Sequence, residues 1–123
     1  MSAQPADVWP SELRLSSDKR QLTVSFEDGA RFELGAEYLR VMSPSAEVQG
    51  HGPRDKRIQA GKIHVAVAAL EPVGRYAVRI VFDDGHDTGL YTWRYLHELG
   101  TTYDVAWPRY IAELAHHGLS RHP

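Results

Sequence analysis

The chain has 123 residues, no cysteine and a formal net charge of −2 at pH 7 with histidine neutral. That length predicts one domain able to bury a core of ordinary size. The lack of cysteine excludes disulfides and thiolate metal sites, and the mixed charges argue against the clustered basic face that nucleic acid draws on.

Residues 1–10 are a polar lead with Pro5 and Pro10, read as a flexible arm in which Trp9 is the candidate anchor. No basic-then-apolar leader opens the chain, and no apolar run approaches the roughly 18 residues that span a bilayer. The expected setting is therefore cytoplasmic, without membrane contact. Glu12 to Leu15 is a short alternating strand. Gln21 to Phe26 alternates cleanly, with Leu22, Val24 and Phe26 on one face, and Arg31 to Leu34 returns after the turn Glu27-Asp28-Gly29. Ala36 to Met42 predicts a short helix, ended by Ser43-Pro44-Ser45. Ser43 to Gly61 reads as a long polar loop, a feature that in a compact domain is usually functional or disordered.

Lys62 to Leu70 alternates again and is assigned as a strand, with a turn at Glu71-Pro72-Val73-Gly74. Tyr76 to Phe82 is the next strand. Asp84-Gly85 then signals a two-residue type I′ hairpin, since Gly supplies positive φ without a Cβ clash. A short strand follows, and Thr92 and Gly100 are placed to cap a helix at its two ends. The last helix is predicted from Trp107 or Pro108 to His117, with Gly118 ending it and Ser120 to Pro123 as tail. The expected fold is α+β: a mainly antiparallel sheet built from hairpins, with two or three short helices, over residues 11–118. One echo runs through it. Val24 to Gly29 is answered by Ile80 to Gly85, and Tyr38-Leu39 by Tyr95-Leu96. A duplicated strand-turn-strand-helix unit and chance both account for this, because Asp-Gly turns are common.

Several residues are candidates for chemistry. His86 and His51 sit near loops, and a metal held by both would need Glu47 or Asp84 as a third ligand. Asp83, Asp84 and Asp87 form a carboxylate cluster, of which the turn itself explains Asp84. Gly50-His51-Gly52-Pro53, followed by Arg54 and Arg57, is either an anion or partner contact or a solvated loop. Tyr91, Trp93 and Tyr95 are either core or an exposed interaction patch. No nucleophile elbow or other hydrolase signature is present.

Four segments, taken in order, resemble one family. They are Leu39-Arg40-Val41-Met42-Ser43-Pro44-Ser45-Ala46-Glu47, Gly50-His51-Gly52-Pro53, Glu71-Pro72-Val73-Gly74, and Phe82-Asp83-Asp84-Gly85-His86-Asp87-Thr88-Gly89-Leu90-Tyr91-Thr92-Trp93. The chain is similar to stand-alone bacterial members of the gamma-butyrobetaine hydroxylase-like N-terminal domain family. The resemblance implies an accessory domain. In the hydroxylases it precedes an iron- and 2-oxoglutarate-dependent catalytic domain, and related domains are fused to carriers used in iron–sulfur cluster assembly. It also implies a structural zinc held by Cys-x-Cys-x-x-Cys and a later His. Those positions fall on Ser43, Ser45, Val48 and His86, so one ligand of four is kept and no cofactor is expected. The reading is thus a non-enzymatic protein-interaction module that docks a protein partner through His51, Arg54, Arg57, Tyr91 and Trp93. A zinc- or other metal-binding protein using His86 and His51 is the alternative, and a small enzyme acting on an anionic metabolite is a third.

Overall fold

The computed structural model describes residues 8–50 and 57–123. The fold is α+β, as the periodicity predicts. Strands β1 (Pro10–Leu15), β2 (Gln21–Phe26) and β3 (Arg31–Gly35) form an antiparallel sheet, followed by helix α1 (Ala36–Val41) and the short helix α2 (Ala46–Gln49). Strands β4 (Val67–Val73), β5 (Ala77–Phe82) and β6 (Gly89–Thr92) form a second antiparallel sheet, followed by α3 (Trp93–Thr101) and α4 (Tyr103–His116). No helix among the described residues is long and apolar enough to cross a membrane.

The internal echo is a structural repeat. Glu27 N–H bonds to the Trp9 carbonyl as Asp83 N–H bonds to that of Ala66, and Ala36 N–H bonds to Arg20 as Trp93 N–H bonds to Tyr76. Each first strand carries a register break at its start, between Pro10 and Glu12 and between Val67 and Ala69. Both hairpin turns have the same form. Gly29 and Gly85 N–H groups bond back to Phe26 and Phe82, at 3.1 and 3.2 Å, and the two glycines have φ of +93° and +92°. Only the glycine has positive φ, so the turn is type I closed by a glycine bulge. The two-residue type I′ turn expected at Asp84-Gly85 would need positive φ at the aspartate as well.

The halves share one core. Leu22, Val24, Phe26, Leu34 and Leu39 pack with Val67, Val78, Ile80, Phe82, Tyr91 and Leu96. They are also tied by reciprocal polar contacts. The Tyr38 hydroxyl donates to the Leu99 carbonyl at 2.7 Å, and the Tyr95 hydroxyl donates to that of Met42. Burial pushes the Tyr95 phenol up to about 12, so it remains a donor at neutral pH. Arg40 of α1 pairs with Asp84 in the second hairpin at 2.9 Å, and His97 of α3 pairs with Asp28 in the first at 3.0 Å.

Four assignments change. Strand β4 starts at Val67, not Lys62, and runs through Pro72, which an edge strand tolerates because no further strand needs its missing N–H. Residues 61–63 instead meet the C-terminal segment: Gly61 and Ile63 N–H groups bond to the Ser120 and Arg121 carbonyls. Arg121 also grips Glu37 with two bonds of 2.7 and 2.8 Å, so the segment read as a tail is docked on α1. Helix α4 begins at Tyr103, five residues before Pro108, where Tyr103 stacks on Trp107 one turn ahead. Gly118 does end α4, with φ of +67° and paired bonds from Gly118 to Ala115 and from Leu119 to Leu114.

The fourth change concerns Gly100. It lies inside α3, whose C-cap is Thr102. Thr92 caps the start as expected, accepting from Tyr95 N–H at 3.0 Å. A Cβ on Gly100 would lie 2.2 Å from Phe32 Cγ, so the glycine makes room for that ring rather than stopping the helix.

Two outcomes follow from this packing. Gly100→Ala should lower stability in urea titration by about 1–3 kcal/mol despite the better helix propensity of alanine, and Phe32→Leu should recover part of the loss. Asp84 is held down at about 2 against its own burial, by Lys62, by the His86 N–H and by Arg40. Its folded value lies below its unfolded one, so its contribution is present above pH 4 and lost as pH falls toward 2. Melting curves should show about 2 kcal/mol disappearing across that window, and Asp84→Asn should remove this part of the acid transition.

Candidate functional site

Two places depart from the internal repeat, and each is a candidate site. The first lies where the second hairpin rejoins β6. Its turn pairs Phe82 with His86, while the strand register pairs Ile80 with Gly89. The register has therefore slipped by one residue across His86-Asp87-Thr88, a slip the first hairpin lacks. The bulge turns His86 inward, and bulges commonly re-aim a side chain in this way. Gly89 makes the space: a Cβ there would lie 2.6 Å from Ser43 Oγ.

Ser43, Ser45, Val48 and His86 are all buried in this region. Ser43 Oγ lies 2.8 Å from His86 Nε2 and accepts from the Ser45 N–H at 3.2 Å. His86 Nδ1 lies 2.9 Å from Glu47 Oε1. Ser45 Oγ caps α2 through the Glu47 N–H and meets Thr88 Oγ1 at 2.6 Å. Desolvation, with Arg40 nearby, lowers the His86 pKa below its usual range, so the ring is neutral at pH 7. A carboxylate only accepts, which puts the single ring proton on Nδ1 and leaves Nε2 to accept from the Ser43 hydroxyl.

Serine, histidine and glutamate in this order have the connectivity of a hydrolytic triad. Ser43, however, is 0% exposed, and its oxygen already accepts a backbone N–H. A nucleophile needs an approach path, and this hydroxyl has none among the described residues. Zinc does not fit either. Two hydroxyls, a valine and an imidazole whose free lone pair is already engaged are not a zinc donor set. No three His, Asp or Glu side chains among the described residues gather as metal ligands. Asp84 is committed to Arg40 and Lys62, and Asp83 accepts the Ala66 N–H. Asp87 lies 3.8 Å from Arg79, so the carboxylate cluster is divided among separate partners.

The second departure is on the surface. In the first half the Lys19 carbonyl receives the Val67 N–H at the start of β4. The corresponding carbonyl in the second half is Arg75, and the corresponding donor would be Pro10, which has no N–H. The indole Nε1–H of Trp93 takes that carbonyl instead, at 2.7 Å. A cleft of about 310 Å³ opens beside it, lined by Trp9, Tyr76, Thr92, Trp93 and Arg94. Trp9 and Tyr76 are 45% and 56% exposed. Recesses of about 290 and 300 Å³ adjoin it, sharing Arg94 on one side and Trp93 on the other.

Of the residues singled out for partner binding, Trp93 lines this cleft. Tyr91 does not: it is 0% exposed and donates its hydroxyl to the Leu39 carbonyl, so it belongs to the core. Arg57 is exposed and its backbone N–H bonds to Val48. His51 and Arg54 lie outside the described residues, as does most of the glycine-histidine motif. Sequence reasoning missed Tyr76 and Arg94. Tyr76 is expected to open the strand that runs to Phe82, but β5 begins at Ala77 and Tyr76 is exposed beside Trp9 in the cleft.

The family model described as gamma-butyrobetaine hydroxylase-like, N-terminal, matches residues 13–97. No curated protein matches the chain. Two solution NMR structures are similar. One is 49% identical with a TM-score of 0.81, covering 94% of this chain and 91% of that one; the other is 45% identical with a TM-score of 0.82, covering 100% and 92%. A crystal structure of a DUF971-family protein of unknown function from Acidithiobacillus ferrooxidans is 38% identical, with a TM-score of 0.64 over 80% of this chain and 98% of that one. With most of its length matched by the family model and by solved relatives, this chain belongs to the gamma-butyrobetaine hydroxylase-like N-terminal domain family.

Proposed function

We propose that the protein is a non-catalytic interaction module whose docking face is the cleft of Trp9, Tyr76 and Trp93. The observation that carries this reading is the meeting there of three large aromatic side chains from separate parts of the chain, two of them well exposed. Aromatic anchors flanked by arginine are the residues on which interface energy concentrates. The adjoining recesses make a track along one face, suited to an extended segment of a partner protein. Arg94 lines the cleft and has no ion-pair partner among the described residues. The favoured segment therefore carries a bulky apolar side chain with a carboxylate close by. Kinship with the N-terminal region of a hydroxylase supports a partner in iron-enzyme or iron–sulfur metabolism, by analogy alone.

The test is capture from the native cell at endogenous level, with a photo-crosslinking residue placed at Tyr76. A discrete partner should be recovered, and Tyr76→Ala and Arg94→Glu should each weaken its binding about tenfold, with little change in melting temperature. Binding that is indifferent to both substitutions, or turnover of a substrate by the isolated chain, would reject this assignment.

A further inference from the structure

The family resemblance implies a zinc ion at four positions, and the geometry around those positions explains how this chain does without one. Ser43 follows α1, Ser45 and Val48 belong to the start and body of α2, and His86 sits on the bulge of the second hairpin. All four are buried. A metal at this point would tie α2 to the hairpin. The same connection is made here by hydrogen bonds.

One strap runs from the Ser45 N–H to Ser43 Oγ, from Ser43 Oγ to His86 Nε2, and from His86 Nδ1 to Glu47 Oε1. A second joins Ser45 Oγ to Thr88 Oγ1. Gln49 Nε2 adds a bond to the Ser43 carbonyl at 2.9 Å and closes α2 over the strap. Each polar atom along the first strap has a partner of the right type, so the network is complete without a cation. Val48 fills the remaining ligand position with an apolar side chain that is 1% exposed. Such a position offers an ion no donor.

We propose that Ser43, His86 and Glu47, with Ser45 and Thr88, form a metal-free clamp that replaces a zinc cage, so that this protein folds and holds its shape without zinc. The clamp predicts that the geometry of the cage survives while its chemistry has been exchanged. Thiolates at positions 43, 45 and 48, together with the imidazole of His86, would restore a three-sulfur, one-nitrogen donor set.

The experiment has two arms. In the first, untagged wild-type protein is purified without chelator from zinc-supplemented medium and its metal content is measured. Well under one zinc per chain is expected, with a melting temperature unmoved by EDTA or by added zinc. Glu47→Ala and Thr88→Val should each lower that temperature by about 4 °C, with or without chelator. In the second, the reduced triple variant Ser43→Cys, Ser45→Cys, Val48→Cys is titrated with cobalt(II) alone. One ion per chain is expected, with thiolate–cobalt absorption, and at least tenfold weaker binding when His86→Ala is added.

One zinc per wild-type chain, removed by EDTA with a fall in melting temperature, would overturn the proposal. So would a folded triple variant that takes up no cobalt. Should the triple variant not fold, the wild-type arm decides: a melting temperature unchanged by both Glu47→Ala and Thr88→Val refutes the clamp.

Discussion

Tyr38 in α1 donates its hydroxyl proton to the carbonyl of Leu99 in α3, and Tyr95 in α3 donates its own to Met42, the residue that ends α1. Each bond crosses from one half of the chain to the other, and each satisfies a carbonyl near a helix terminus that would otherwise need water. The ion pairs Arg40–Asp84 and His97–Asp28 repeat the exchange two residues further along each helix. The two three-stranded sheets do not have separate cores: residues of both pack into one cluster. The reciprocal contacts make the two units a single core, and they place the second hairpin against α1. The contact between Ser43 and His86 depends on that placement.

The repeat explains the candidate sites through its failures. Where Phe32 projects into the gap left by Gly100 in one half, Gly89 faces Ser43 in the other. A ring fills the first location, and a polar network fills the second. The swap of large and small residues across the two halves leaves an apolar contact in one and a polar one in the other. The aromatic cleft arises similarly. Proline cannot supply the N–H that valine supplies in the other half, so the strand start is not stitched down, and the Trp93 indole is drawn onto the vacant carbonyl. The two halves therefore share a fold, and the candidate sites lie where they differ.

This view also separates the resemblance to hydroxylase accessory domains from the properties of this chain. The family likeness runs over residues 13–97. Of the four positions where the resemblance implies zinc ligands, His86 is kept, Ser43 bonds to it, Ser45 bonds to Thr88, and Val48 is apolar. A buried histidine flanked by a hydroxyl and a carboxylate has the connectivity of a catalytic or metal-binding group, and here the hydroxyl it meets has no exposed surface.

Much was legible in the chain itself. The alternation of Leu22, Val24 and Phe26 predicted strand β2 to the residue, Thr92 and Gly118 marked a helix start and a helix end, and the Asp-Gly pairs marked both hairpins and the repeat. These signals are local: they depend on backbone dihedrals and on which face of a strand is apolar. Other positions could be read only from contacts made far along the chain. The alternation in Lys62 to Leu70 looks like a strand, yet Gly61 and Ile63 pair with the C-terminal segment, because an extended chain with alternating apolar residues is the same pattern whatever lies beside it. Gly100 looks like a helix stop and is a slot for Phe32. The burial of Tyr91, the exposure of Tyr76 and the joining of Ser43 to His86 are likewise decided by the packing of one half on the other. Local sequence determined which stretches are strand or helix and where the hairpins turn, though not every boundary or turn type. Tertiary structure decided which polar side chains lost water, and with it what chemistry remained possible.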